Sequence, residues 1–380
     1  MFLKRLKLNS YRNYETLDFE FSKNKTLFVG KNAQGKTNLL EAVYYLSCLT
    51  SNRIKKDKEL IKFDSEFCNI GGEVLKTGTD IELDIIINPP KNKILKVNGI
   101  KKNKSRDFVR VLSTVSFSNS DLLLLRGEPS DRRKWLDNAI CQVYPAYLDK
   151  INKYNKIRLQ KANFLSEFQG RFAFSAGNGG TGTSNYDMLD VYNMQLANSS
   201  ANIMYLRMKF LSELKKIAKE KHLSISKDEE LNIEYENTLS VGFLPVSELS
   251  TICYEKLNEI KDEEIKKGQC LVGPHRDDIS FFINGLDSKR YASQGQQRTI
   301  VLALKLSELD IIQEKINEMP VLLLDDVLAE LDNLRQNYLL DTIKDGVQTI
   351  ITSVDTLAFD DEFLKDVEIV HIENGKIKTP

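Results

Sequence analysis

Over the first hundred positions, apolar residues alternate with polar ones in short runs: Leu17 to Phe21, Thr26 to Val29, Ile81 to Ile87 and Ile94 to Val97. A period of two, broken by Asn, Gly and a Pro-Pro pair, predicts strands. Asn98-Gly99 after the last run signals a two-residue hairpin, because both residues tolerate positive φ. Beyond Pro129 the period changes. Trp135, Leu136, Ala139, Ile140 and Val143, then Leu148, Ile151, Tyr154 and Ile157, then Leu159, Ala162 and Leu165 recur at three and four. This predicts a long helical segment, bent or interrupted at Pro145. The Gly, Ser and Asn-rich stretch Gly170 to Asn185 lacks periodicity and is expected to form a mobile loop. Helical spacing returns from Leu189 to Ile217, so two helices joined by a polar tip are expected to form an antiparallel arm. The first would hold about 35 residues and span roughly 50 Å. A helix over Val246 to Lys267 leads back to strand-like sequence from Gln269, and the strands Val321 to Leu324, Gln348 to Ile351 and Val367 to Ile372 then alternate with helices. The pattern predicts an α/β fold in three parts: an N-terminal lobe over 1–115, a mainly helical arm over 116–268 and a C-terminal lobe over 269–380.

Composition narrows the setting. The chain has 380 residues, 54 Lys plus Arg and 54 Asp plus Glu, so no overall field draws it to a polyanion and any such partner must meet a local patch. The N-terminus lacks the apolar stretch of a secretory signal, and no run approaches the roughly 18 apolar residues of a membrane span. Cys48, Cys68, Cys141, Cys253 and Cys270 are odd in number and lack CxxC spacing, which argues against a disulfide framework and a zinc site. A cytoplasmic protein without a membrane partner is expected.

The chemistry sits at the two ends. Gly30, Lys31, Asn32, Ala33, Gln34, Gly35, Lys36 and Thr37 match GxxxxGK[ST] between a predicted strand and a predicted helix. The loop's N–H groups would curl around the phosphates of ATP, Lys36 would reach the β and γ phosphates, and the Thr37 hydroxyl would ligate Mg²⁺. Val321 to Asp326 reads as a buried parallel strand ending in two carboxylates, Asp325 suited to the metal and Asp326 to the attacking water. Ala329-Glu330-Leu331-Asp332 follows where ABC-type ATPases carry a D-loop. Ser293, Gln294, Gly295, Gln296 and Gln297 open a Leu- and Ala-rich helix. An N-capped helix is the plain reading of that stretch. Its place about thirty residues before the carboxylate strand favours a second phosphate cradle, which caps a γ-phosphate held by another subunit.

Taken together, SQGQQR, VLLLDDVLAELD, GPHRDD at Gly273 to Asp278, SYRNYETLDFEF near the start and SFSNSDLLLLRGEPSDRRKWLD at Ser116 to Asp137 resemble the RecF family, bacterial recombination mediators among the SMC-like ABC-type ATPases. The likeness runs in order over nearly the whole chain. It implies an ABC-type ATPase head with an inserted helical arm, and an ATP-dependent homodimer in which Ser293 and Gly295 of one copy meet ATP at Lys36, Thr37 and Asp325 of the other. It also implies a clamp on DNA at single-strand gaps, ss/ds junctions and adjoining duplex, with RecR and RecO as partners in loading recombinase during repair, replication and the SOS response. Hydrolysis with Asp326 as base would be weak, DNA-stimulated and act as a timer. Arg12 and Asn13 stand where related heads touch base and α-phosphate. Some positions depart from the family pattern. Asn119 and Ser120 replace a proline and an acid, no Q-loop glutamine is evident, and Thr352 and Ser353 stand in place of the ABC histidine as hydroxyl partners for the γ-phosphate. His275, Arg276, Asp277 and Asp278 either line the nucleotide side of the C-terminal lobe or form a structural turn held by Asp pairs.

Lys91, Lys93, Lys96, Lys101, Lys102, Lys104, Arg106 and Arg110 lie in one stretch with a single acid, Asp107. Such runs are usually solvated faces, but on a hairpin they can track a phosphate backbone, and the resemblance favours DNA. Arg53, Lys55, Lys56 and Lys58 form a second candidate patch. Two rival functions remain: the ATPase subunit of a transporter, weakened by the arm and the missing histidine, and an ATP-gated scaffold with negligible turnover.

Overall fold

The computed structural model describes residues 1–51, 53–54, 56–174, 182–343, 346–357 and 359–378. Its centre is a six-stranded sheet in the spatial order Lys376–Lys378, Val367–Glu373, Lys25–Val29, Thr349–Ser353, Val321–Asp325, Thr114–Ser118. All neighbours pair in parallel except the Lys376–Lys378 edge strand. Near-continuous apolar strands suit a parallel sheet covered on both faces. Along Val321–Asp325, Val321 and Leu323 enter one apolar cluster while Leu322 and Leu324 enter another on the opposite side. The helix Lys36–Cys48 covers the first face through Leu39, Leu40, Val43 and Leu46. The helix Gln294–Ile316 covers the second through Leu302, Leu306, Leu309 and Ile312.

An antiparallel sheet, in the order Tyr14–Glu20, Phe2–Tyr11, Cys68–Lys76, Thr79–Ile87, Ile94–Val97, Ile100–Lys102, shares the first cluster through Leu3, Leu6, Ile70 and Leu83. Asn98 and Gly99 have φ of 51° and 70°, as the hairpin signal requires. A third sheet, Leu286–Asp287, Asp278–Ile283, Leu231–Glu236, joins sequence on either side of position 268, and Thr114–Ser118 spans position 115.

The arm follows the helical pattern with three corrections. Pro145 separates the helix Pro129–Val143 from Ala146–Phe174, so the first arm helix has 29 residues, shorter than expected. It would extend about 44 Å at the standard helical rise. Of the stretch Gly170 to Asn185 expected to be a loop, residues 170–174 close one helix and 182–185 open the next, Gly182–Ser226, while 175–181 lie outside the described residues. The expected single helix from Val246 to Lys267 is two, Val246–Glu259 and Lys261–Lys267, interrupted at Ile260. The arm helices are antiparallel: Lys150 Nζ donates to Asn202 Oδ1 (2.7 Å), and further out the Phe164 and Tyr192 rings stand 5.6 Å apart.

Candidate nucleotide site

Parallel α/β sheets place ligands beyond the carboxyl ends of their strands. Here those ends deliver Gly30, Asp325, Thr352 and Ser118 side by side, with Asp325 in register with both Thr352 and Ser118. The loop Gly30–Thr37 leaves its strand with Gly30 so close to the C-terminal strand that a Cβ would lie 2.4 Å from Ile372 O. It enters the helix through Gly35, whose φ is 111° and whose Cβ would lie 2.5 Å from Asn13 Nδ2. Ala33 adds a second positive φ of 65°. Lys31, Asn32 and Ala33 are exposed, whereas Lys36 is buried and its ammonium donates to Gly30 O (2.7 Å) and Lys31 O (3.2 Å), inside the loop's curl. Backbone N–H groups at a helix N-terminus and a cation within one concave loop form a polyphosphate cradle.

The loop is braced from both ends of the chain. Asn13 Nδ2 donates to Gln34 O (3.2 Å), Asn13 Oδ1 accepts from Asn38 (2.8 Å), and the buried Tyr14 hydroxyl donates to Gly35 O (3.0 Å). From the C-terminal hairpin, Asn374 N donates to Gln34 Oε1 (2.6 Å) and Gly375 N to Gln34 O (3.0 Å). Arg12 grips the buried Glu41 with both Nε (3.0 Å) and a terminal nitrogen (2.8 Å), and Arg53 meets the same carboxylate at 3.1 Å. Arg12 is thereby anchored to the helix Lys36–Cys48, beside the loop.

Asp325 is the hub of the polar end of the sheet. Its Oδ1 accepts from Thr37 Oγ1 and from Thr352 Oγ1, each at 2.9 Å. Burial raises this carboxyl above the ordinary aspartate value, against the two hydroxyl hydrogen bonds that hold it ionised. Thr352 Oγ1 in turn accepts from Asp326 N–H (3.0 Å), and Asp326 sits at a φ of 54°. The hydroxyl proton of Thr352 is thus directed to Asp325, so the threonine orients that carboxylate and the backbone of Asp326. Magnesium takes hard oxygen ligands in an octahedron, with adjacent oxygens about 2.9 Å apart for bonds near 2.1 Å. Thr37 Oγ1 and Asp325 Oδ1 have the donor chemistry and the separation of such a pair. A cleft of about 70 Å³ continues from them past Ser118 and Ser120 to Asp121 and Lys305. Sequence reasoning did not single out Lys305; it lies on the helix Gln294–Ile316 and pairs with Asp121 at 3.2 Å.

The stretch expected to be a second cradle is built as a helix start. Ser293 Oγ accepts from Gln296 N (3.2 Å) and Gln296 Oε1 accepts from Ser293 N (2.7 Å), a reciprocal capping box. Ser293 and Gln294 are exposed, and the first N–H groups of any helix lack intrahelical acceptors. The rest is committed internally: Gln296 to Glu229 (2.7 Å), and buried Gln297 to Arg126 (2.6 Å). Glu330 is bound through its carbonyl and carboxylate by Arg298, and Asp332 caps the helix Asn333–Thr342, accepting from Arg335 N at 3.0 Å. Among the described residues, the bonding partners of residues 293–297 are Arg126, Glu229 and their own helix start, and none is in the loop 30–37 of the same chain.

The GPHRDD turn proves to be tightly paired. Asp278 is gripped by Arg132 at 2.7 and 2.8 Å, and Asp277 accepts from the Tyr235 hydroxyl and Thr238 N. His275 Nδ1 meets Tyr154 OH at 2.5 Å. The basic hairpin does not present one face. Lys93 turns inward to Tyr45 OH (3.0 Å), Leu49 O and Asp57, and Arg106 pairs with Asp149 (3.0 Å). Lys91, Lys101, Lys104 and Arg110 are exposed, Lys96 stands opposite Lys101, and Lys102 lies opposite Leu95. In the second patch Arg53 is bound to Glu41, and Lys55 lies outside the described residues.

Sheet, loop, carboxylate strand and inserted arm together define an SMC-like ABC-type ATPase head. The family described as "RecF/RecN/SMC N terminal domain" matches residues 2–378. Solved heads of Smc proteins share the fold at a TM-score of 0.52 and 13% identity, covering 100% of this chain and 96% of that one in the complex with the ScpA winged-helix domain. Much nearer are two structures of the "recombination mediator protein RecF", with TM-scores of 0.87 and 0.89 at 34% and 33% identity, each covering 99% of this chain and 97% of the other. The "DNA replication and repair protein RecF" of Bacillus velezensis is 41% identical over 99% of this chain and 100% of its own length, and that of Bacillus subtilis 40% over the same shares. The chain belongs to the RecF family.

Proposed function

We propose that this protein is an ATP-dependent DNA-binding protein of recombinational repair and replication, in which ATP drives two copies together as a clamp on DNA and slow hydrolysis opens it. The observation that carries this reading is the division of the phosphate-binding parts: a complete cradle at Gly30–Thr37 with its carboxylate hub, and an exposed capping-box helix start at Ser293 and Gln294 whose bonds go elsewhere in the chain. The two matching RecF structures are described as "RecF-ATP" and "RecF-ATPrS", in the "RecFOR pathway". ATP would lie in the loop with Lys36 on its phosphates. Thr37 and Asp325 would hold Mg²⁺, which when bound supplies charge neutralisation for phosphoryl transfer. Asp326, fixed by Thr352, orients the attacking water. Ser293 and Gly295 of the second copy cap the γ-phosphate, so association gains contacts that only the triphosphate provides.

Gapped duplex DNA is the proposed substrate, met by exposed cations such as Lys91, Lys101, Lys104 and Arg110 through backbone contacts that carry no sequence information. RecR and RecO are the proposed protein partners, and the cytoplasm is the proposed setting. No helix among the described residues is long and apolar enough to cross a membrane. The test is solution mass with no nucleotide, with ADP and with a non-hydrolysable ATP analogue, for wild type and Ser293→Arg, with and without gapped duplex. The analogue should dimerise wild type on DNA, while Ser293→Arg binds nucleotide yet stays monomeric. Mass that ignores nucleotide would remove the split-site mechanism.

A further inference from the structure

A cleft of about 550 Å³ lies away from the nucleotide loop, where the arm meets the N-terminal lobe. Its charge is one-sided. Arg133, Lys134 and Arg158 line it, and among the described residues none of the three forms an ion pair. Arg133 donates only to Asp277 O (2.7 Å) and Lys134 to Ser51 O (2.6 Å), both neutral carbonyls. Arg158 Nε is buried with no hydrogen-bond partner. The carboxylate of Asp137 on the wall is already held by Nε and one terminal nitrogen of Arg207, each at 2.9 Å, and by Tyr147 OH at 2.7 Å. Arg207 also lines the cleft, and Lys93, which pairs with Asp57, enters from beside the basic hairpin.

Withdrawing cations from water without an anion is costly, and an anionic ligand would offset that cost. Protonation behaviour agrees with the geometry: burial lowers Arg133 and Lys134 below their ordinary values, and the neighbouring Arg207 cation depresses Arg133 further. The lining also includes the apolar side chains of Leu148, Ile151 and Ile203 and the amides of Asn152 and Asn155. Unpaired cations and amide donors among apolar side chains, in a volume within the range of small-ligand pockets, suit a phosphate ester with a flat polar body.

We infer that this cleft binds a nucleoside phosphate, its phosphate on Arg133, Lys134 and Arg158 and its base against Leu148 and Ile151. The same chemistry is offered by a free mononucleotide and by the 5′-terminal nucleotide of a DNA strand. The site is separate from the Gly30–Thr37 cradle and does not depend on dimerisation, so it stands or falls apart from the clamp.

The experiment uses the full chain with the loop saturated by a non-hydrolysable ATP analogue and Mg²⁺. Calorimetry then follows dAMP, a 5′-phosphorylated dT12 and the same oligonucleotide with a 5′-hydroxyl. Removing one charged donor to a phosphate corresponds to a loss of roughly tenfold or more in affinity. Arg158→Gln should weaken dAMP or 5′-phosphate binding by that factor, with Arg158→Lys recovering most of it and the thermal midpoint and analogue affinity unchanged. Lys134→Gln is the second variant should Arg158→Gln fold poorly. Competition between dAMP and the phosphorylated strand, absent for the hydroxyl strand, assigns the strand end; dAMP binding without such competition assigns the free nucleotide. No dAMP binding and no preference for the 5′-phosphate, or affinities equal in wild type and both Gln variants, would overturn the inference.

Discussion

Replacing Thr352 by Val keeps the shape of a fully packed position and deletes one hydroxyl that serves two carboxylate-bearing residues. Three consequences add. Asp325 Oδ1 loses a 2.9 Å donor, a hydrogen bond to a charged acceptor worth about 1.5–3 kcal/mol. Asp326 N–H loses its 3.0 Å acceptor, which costs about 1–3 kcal/mol if no other group replaces it. The new methyl gains about 0.8 kcal/mol of apolar burial in return. Thr37 still donates to Asp325, so the expected net loss is about 2–4 kcal/mol. The loss has a pH signature. Burial already raises the Asp325 carboxyl in the folded state, so the native form binds more protons than the unfolded chain in the window above the ordinary aspartate value, and stability falls as pH rises through it. Thr352→Val removes a hydrogen bond to the ionised form and widens that window upward. Its penalty should be full at neutral pH and shrink as pH falls into the carboxylate range. Urea melts of wild type, Thr352→Val and Thr352→Ser across that range provide the assay, with Ser keeping both hydrogen bonds. A Val variant within about 0.5 kcal/mol of wild type at neutral pH, or a Ser variant destabilised equally, refutes the reasoning that the hydroxyl is what matters.

Two further perturbations probe the arm and its contact with the C-terminal lobe. Lys161 and Glu264 form an ion pair with both side chains fully buried, and Glu264 Oε1 also accepts from Leu271 N (2.8 Å). Lys161→Met should cost about 3–5 kcal/mol because it strands the carboxylate, and adding Glu264→Gln should restore much of it; equal urea midpoints for wild type and the single variant would refute the burial argument. His275 is pushed down to about 4 by burial, from an ordinary value of 6.5. The folded state therefore binds fewer protons than the unfolded chain between those values, and stability is lost as pH falls through that window, by about 3 kcal/mol in total. His275→Asn should flatten this part of the pH–stability curve, and unchanged curvature counts against a buried neutral imidazole.

Much of the architecture was legible because its signals are local. VLLLD is a continuous apolar run, and only a strand covered on both faces makes sense of it. The loop motif, its helix and the Asn98-Gly99 hairpin are set by residues adjacent in sequence. What escaped is either non-local or ambiguous in character. Leu231–Glu236 alternates apolar residues with Asn and Glu inside a helix-rich stretch, and only its pairing with Asp278–Ile283 makes it a strand. Glu41 reads as a solvent position on a helix until Arg12 and Arg53 converge on it from distant loops. Lys93 is indistinguishable from its neighbours in a basic run, yet it lies over the Tyr45 ring and pairs with Asp57. For the GPHRDD turn, where sequence left two readings open, the pairing of Asp277 with Tyr235 and of Asp278 with Arg132 accounts for both acids as structural ties.

Those ties bear on how one chain would serve the two phosphate sites proposed for it. The helix Gln294–Ile316 exposes Ser293 at its start, but its middle is fixed from within: Lys305 pairs with buried Asp121 at 3.2 Å and with Glu308 at 3.6 Å, and Glu308 accepts from Trp135 Nε1 at 3.0 Å. Asp121 also accepts from Ser118 N at 2.6 Å, at the end of the strand that flanks Asp325. At the helix start Gln297 is held by Arg126, and Arg132 of the next helix donates to Leu124 O and Gly127 O as well as to Asp278. Each link is a charged or amide group in a buried or half-buried setting, where breaking a pair costs more than sliding an exposed one. The exposed Ser293 is therefore carried on an element whose position is set by the same strands that carry Thr37's partner Asp325. From Asp325, which Thr37 of the loop contacts, a short chain of buried pairs through Ser118, Asp121 and Lys305 thus leads to the helix that presents Ser293.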